Sequence, residues 1–129
     1  MATILVVDDD YQIRKLLRAL LIRAGHQVQT ARHAQAALDL CRPPAHFDVV
    51  LSGVALAGMD GHDLARWMAA NCPRTQVALI SATDSLCESC PYLQRCRIIP
   101  KPFKPQEVVS AVTELLARPP ETRGSLPQA

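Results

Sequence analysis

Ile4-Leu5-Val6-Val7-Asp8-Asp9-Asp10 is the stretch that decides how this chain folds: four apolar residues running directly into three carboxylates. So short and continuous an apolar run, bounded by charge, predicts a strand buried on both faces, as in a parallel sheet. Just beyond it, Ile13, Leu16, Leu17, Leu20 and Leu21 recur at i, i+3, i+4, i+7 and i+8. That spacing predicts one apolar face of a helix, with Arg14, Lys15 and Arg18 off it. Gly25 supplies the stop.

The same alternation continues outward. Gln27 to Ala31 predicts a second strand, and Ala34, Ala37, Leu38 and Cys41 a second helix, stopped by Pro43-Pro44. Phe47 to about Gly53 predicts a third buried strand. Leu64, Ala65, Met68, Ala69 and Cys72 mark a third helix ended by Pro73, and Val77 to Ser81 a fourth strand. Residues 84–94 do not declare a type. Arg97 to Pro100 predicts a short fifth strand, and Pro105 opens a last helix with the stripe Val108, Val109, Val112, Leu115 and Leu116. From Pro119 the chain turns to Pro, Gly, Ser and Gln, so residues 1–118 are expected to form one domain and residues 119–129 a disordered tail. Strands alternating with helices at these intervals imply right-handed βαβ units, and function is expected at the carboxyl ends of the strands.

Composition narrows the function classes. The chain has 129 residues, is 49% hydrophobic and carries a formal charge of +2, too little to argue for nucleic acid or an anionic membrane surface. Aromatic residues make up 4%, which leaves little for base stacking. The N-terminus lacks the basic and long apolar regions of a signal peptide, and no segment is apolar for long enough to span a bilayer. The expectation is a cytoplasmic protein whose five cysteines are thiols or metal ligands rather than structural disulfides.

Three groups fall at strand ends: Asp8 and Asp9 after the first, Ser81 at the close of the fourth, and Lys101-Pro102-Phe103 after the fifth. With Gly58-Met59-Asp60-Gly61 between them, in this order, the chain resembles the receiver domain of bacterial two-component response regulators from residue 3 to about 117. The resemblance implies a doubly wound, flavodoxin-like sheet of five parallel strands in the order 2-1-3-4-5. It implies that Asp8 and Asp9 share a magnesium ion with an acceptor aspartate, that Ser81 and Lys101 contact the phosphoryl group, and that the bond to Pro102 is cis. Hard carboxylate oxygens suit magnesium, and an ammonium and a hydroxyl suit a phosphoryl group.

The acceptor itself is missing. Between Asp48 and Gly61 the register is fixed from both ends, and the acceptor position is Gly53; the family's usual proline in the following loop is Ala57. Glycine can form no acyl phosphate and offers a metal no carboxylate. Asp48 lies five residues upstream, about 16 Å along a strand. Ser52 points to the opposite face, and Asp60 is expected to cap the third helix. Asp8 and Asp9 are then left to bind magnesium weakly, or Asp9 to pair with Lys101, with Ser81 and Lys101 as inherited scaffold. The aromatic that many receivers carry three residues before the lysine is here Ile98.

Cys87, Cys90 and Cys96 form C-x2-C-x5-C where the family has its fourth helix, with Cys72 upstream. Incidental thiols, a redox pair, and a zinc or iron–sulfur site are all compatible with this spacing. Cys41 and Cys72 continue helical stripes and read as small core residues. Pro91 cannot sit inside a regular helix, so this stretch is expected to be the least family-like part of the fold. His26, His33, His46 and His62 share no ligand spacing.

The functional expectation is a stand-alone receiver-like signalling domain, not an enzyme, acting by protein contact without phosphorylation. Its partner would be a histidine kinase, an effector or another signalling protein. By analogy with the family, the contact would use the fourth helix, fifth strand and fifth helix, and self-association into a homodimer stays open. Neither nucleic acid nor membrane is expected. The alternative is a redox or metal sensor built on Cys87, Cys90 and Cys96.

Overall fold

Strand β1 (Thr3–Val7) shows why the chain closes as it does. Its residues alternate between the two faces of the sheet: Ile4 and Val6 enter one apolar cluster, Leu5 and Val7 the other. All four are at most 1% exposed, so the strand can lie only in the middle of a sheet covered on both sides. The computed structural model describes residues 2–42, 46–53, 61–72, 74–81, 97–100 and 102–117.

The elements follow in the order β1, α1 (Tyr11–Arg23), β2 (Gln27–Ala31), α2 (Ala34–Leu40), β3 (Val49–Gly53), α3 (Gly61–Asn71), β4 (Gln76–Ser81), β5 (Arg97–Pro100) and α4 (Pro105–Leu116). The strands are parallel and ordered β2-β1-β3-β4-β5, as the sequence reading expected. The first cluster joins β1, β3 and β4 to Leu17 and Leu21 of α1 and to Val108, Ala111, Val112 and Leu115 of α4. The second joins the opposite faces of β1 and β3 to Ala37 and Leu38 of α2 and to Leu64 and Met68 of α3. Burying each of these leucines stabilises the fold by about 1.5–3 kcal/mol.

Local chemistry sets the helix ends. Asp10 caps α1, its Oδ1 accepting from the Gln12 amide at 2.8 Å and the Ile13 amide at 3.4 Å. Gly25 follows α1 at φ 97°, the left-handed conformation that glycine adopts without cost. His33 caps α2, its Nδ1 accepting from the Ala36 amide at 3.0 Å. Pro105 opens α4, and the Lys104 amide donates to Glu107 Oε1 at 3.4 Å.

Two details of the apolar stripes differ from the sequence reading. Leu16 is 44% exposed, because the face of α1 that meets the sheet is centred on Leu17 and Leu21. Half-buried Arg14 lies at the edge of that face instead. In α4 the buried set is Val108, Ala111, Val112 and Leu115, so Ala111 replaces Val109. Ala111 is fully buried in the first cluster, and Val109 and Leu116 lie at its margin. The expectations for Asp60, for residues 84–94 and Pro91, for the Lys101–Pro102 bond, for Lys101 and for residues 119–129 fall outside the described residues.

Candidate functional site

Parallel strands end together, and their carboxyl ends form one edge of the sheet. β1 pairs with β3 so that Val7 lies opposite Ser52. One residue further, Asp8 and Gly53 stand at the same level. β3 pairs with β4 so that Gly53 lies opposite Ile80, which puts Ser81 one residue beyond it, against Pro100 of β5. The backbone therefore brings Asp8, Gly53 and Ser81 to one edge, where β5 ends at Pro100 as well.

Asp8 is the most constrained of these residues. It is 2% exposed. Its amide donates to the carbonyl of Ala31 in β2 at 3.1 Å, and its Oδ1 accepts from the Asp10 amide at 2.9 Å. Its own carbonyl accepts from Arg14 Nη1 at 2.7 Å. The Arg14 guanidinium also lies 5.7 Å from the centre of the Tyr11 ring. Asp9 and Asp10 are exposed beside it. Three acids in a row are tolerated here because they meet the positive end of α1 and the Arg14 cation.

Gly53 is buried and presents only backbone. Ser52 does not make good the loss. It is fully buried, alternation places it on the Val50 side, and its hydroxyl donates to the Gly53 carbonyl at 2.8 Å. Asp48 sits at the far edge of the sheet, where its Oδ2 accepts from the Thr3 amide at 2.9 Å and His46 Nε2 lies 3.3 Å from Oδ1. The sequence reading of both residues agrees with this placement.

The metal implied by the resemblance fits these residues incompletely. Asp8 and Asp9 offer two carboxylates, the third ligand position is a glycine, and one oxygen of Asp8 already accepts a backbone amide.

The cysteines divide. Cys41 is buried and ends α2, and the Cys72 thiol donates to the Cys41 carbonyl at 3.5 Å. Both are free thiols. Burial, helped by the neighbouring Cys72, pushes the Cys41 thiol up to about 11. Burial likewise raises Cys72 above its ordinary value. Cys41 belongs to the second apolar cluster and Cys72 packs against it, on the helical faces that their spacing predicted. Cys87, Cys90 and Cys96 lie outside the described residues, and among the described residues no group of three or more His, Cys, Asp or Glu could hold a metal.

Sequence reasoning missed four polar contacts: the Asp10 cap, the Arg14–Asp8 bond, the His33 cap and the Asp48–Thr3 bond. The first had a readable signal, an aspartate just before a helical stripe. The other three join residues whose meeting depends on the fold or on a rotamer.

Comparison with known proteins agrees with the architecture. A family model described as the response regulator receiver domain matches residues 4–113. Protein PetR of Rhodobacter capsulatus is 33% identical over 120 residues, covering 92% of this chain and 50% of that protein. The transcriptional regulatory protein GltR of Pseudomonas aeruginosa is 34% identical over 121 residues, covering 90% and 49%. The chain thus spans about half the length of these relatives. Among solved structures, the chemotaxis response regulator CheY4 of Vibrio cholerae superposes with a TM-score of 0.80 at 27% identity, over 90% of this chain and 99% of that one.

Proposed function

The chain belongs to the response regulator receiver family, and from that membership we propose that it is a receiver that signals through protein contact without an acyl phosphate. One observation carries the reading: Gly53, which stands level with Asp8 at the carboxyl edge of the sheet, has no side chain. A phosphoryl group cannot be transferred to it. Transfer to a neighbour needs an attacking oxygen within about 3–3.5 Å and in line with the leaving group. The Ser52 hydroxyl is turned to its own strand's carbonyl, and Asp48 is bound at the other edge.

Output then depends on a partner binding a fixed conformation rather than on a population shift driven by phosphorylation. The partner is a histidine kinase, an effector or another signalling protein. The surface offered to it is that of β5, α4 and the segment preceding β5, and the site at the strand ends is scaffold. The fully buried leucines and valines of both clusters make that scaffold rigid without any ligand.

The test is intact-mass measurement after incubation with acetyl phosphate. The unmodified mass is the expected result. A gain of one phosphoryl group that hydroxylamine removes would show that some carboxylate is an acceptor, and the reading would fall.

A further inference from the structure

We propose that the open edge of β2 is a self-association surface, on which a second copy of this chain adds its own β2 antiparallel across a two-fold axis. β2 is an outermost strand of the sheet and pairs with β1 alone. The bonds at the two ends of that pairing fix which backbone groups are left over. The Gln27 amide donates to the Ala2 carbonyl at 2.8 Å, and the Ala31 carbonyl accepts from the Asp8 amide at 3.1 Å. Residues two apart on a strand turn the same way, so Gln27, Gln29 and Ala31 direct their backbone groups to β1. The N–H and C=O of Val28 and Thr30 point out of the sheet, where no other described strand lies.

Proteins ordinarily guard such an edge with charge, proline or a bulge. Gln27-Val28-Gln29-Thr30-Ala31 contains neither a charged residue nor a proline, and its register on β1 is unbroken. The other outermost strand, β5, ends in Pro100, which has no N–H to offer. Gln27, Gln29 and Thr30 are exposed and Val28 is half-buried, so the described residues leave the β2 edge open.

The strand complements itself. Antiparallel pairing centred on Gln29 sets Val28 of each copy against Thr30 of the other, and these are the residues whose backbone groups face outward. Both pairs are then of the hydrogen-bonded kind, and all four N–H groups and all four C=O groups find partners. Gln29 meets Gln29 at the axis with Cα atoms about 4.5 Å apart, close enough for the two side-chain amides to bond each other. Exposed Arg32, just past the strand, comes to lie about 20 Å from its counterpart, beyond the screening length at physiological salt. A strand of an unrelated protein fits less well, because an uncharged edge gives no charge by which to select it. Two-fold pairing also closes, since it covers both β2 edges, whereas head-to-tail addition would continue without limit.

β2 and β5 are the two ends of the five-stranded sheet, so pairing through β2 leaves the β5 and α4 surface of each copy free. Two partner-binding surfaces carried on one body make the assembly bivalent. That consequence rests on the reading that the chain works by protein contact, whereas the pairing is tested without a phosphodonor. An acyl phosphate would remove that reading and leave the association result standing, and a failure to associate would leave the mass result standing.

The full chain is followed by sedimentation from about 1 µM to about 1 mM, with amide hydrogen exchange measured at both ends of that range. The expected result is a mass that rises to that of two copies. The Val28 and Thr30 amides should become about tenfold or more better protected as it does, with those of Gln27, Gln29 and Ala31 unchanged. Gln29→Lys and Gln29→Glu each set like charges across the axis and should weaken association about tenfold, with unchanged circular dichroism. An equimolar mixture of the two variants should associate more tightly than either alone. A single-chain mass throughout, association indifferent to Gln29→Lys, or unprotected Val28 and Thr30 amides in the associated form would overturn the proposal. So would assemblies larger than two copies, a mixture no tighter than its components, or a chain that stays single yet takes up an extended peptide along β2.

Discussion

Asp48 Oδ2 accepts the Thr3 backbone amide at 2.9 Å, so the one acidic side chain of the segment leading into β3 is used to pin β1 to β3 at their starting edge. Its backbone extends the same ladder, with the Asp48 amide donating to the Thr3 carbonyl at 2.8 Å and the Asp48 carbonyl accepting from Gln76 at 2.9 Å. A charge-assisted bond of this kind contributes about 1.5–3 kcal/mol. Asp48→Ala is therefore expected to lower the unfolding free energy by about 1–2 kcal/mol in urea titration, with the slope unchanged. The mass after acetyl phosphate treatment should stay that of the unmodified protein.

Restoring a carboxylate at the other edge should have the opposite character. Gly53→Asp adds a third hard ligand level with Asp8. Magnesium affinity, measured by calorimetry, is expected to rise about tenfold or more over the native chain. A native dissociation constant already in the range of phosphorylatable receivers would contradict the account of Asp8 and Asp9.

His26 gives a pH dependence with a definite sign. Its Nδ1 accepts the Ala2 amide at 3.2 Å, a role that only the neutral ring can fill. Burial, then the nearby N-terminal ammonium, lower its pKa below 6.5, against an opposing pull from Asp48. The unfolded chain therefore takes up the proton more readily. The stability that neutral His26 supplies is complete above 6.5 and declines as the pH falls below that value towards the lowered folded one. Replacing the ring, as in His26→Gln, should flatten the stability curve below pH 6.5, as followed by thermal unfolding.

Cys41 should be chemically quiet. With its thiol pushed up to about 11 from 9.0, the thiolate fraction near neutrality is about a hundredfold lower than in an unfolded chain. Iodoacetamide at pH 8, followed by peptide mapping, is expected to modify Cys41 about a hundredfold more slowly in the native protein than in urea. Rapid native labelling would show that the end of α2 opens.

Much of this protein can be read from residue order alone. Ile4 to Val7 must be a central strand because four consecutive apolar side chains need cover on both faces, and Leu17 and Leu21 must face a core because their spacing leaves no other use for them. The loss of the acceptor is also legible, because Gly53 is counted from fixed points on either side. What the order of residues could not decide is where partial exposure and polar pairing fall. Leu16 and Leu17 are chemically identical neighbours, yet one is 44% exposed and the other fully buried, because the helix turns Leu17 into the cluster with the sheet and α4 and its neighbour about 100° away. Likewise Asp8, Asp9 and Asp10 are the same residue three times over. The third caps a helix by a local contact whose signal the sequence carries, but only the tertiary structure buries the first under the Ala31 carbonyl and Arg14 and leaves the second in solvent. Hydrophobic periodicity is a property of the chain and survives in the sequence, whereas desolvation and hydrogen-bond partnership belong to pairs of residues that only folding brings within 3 Å of each other.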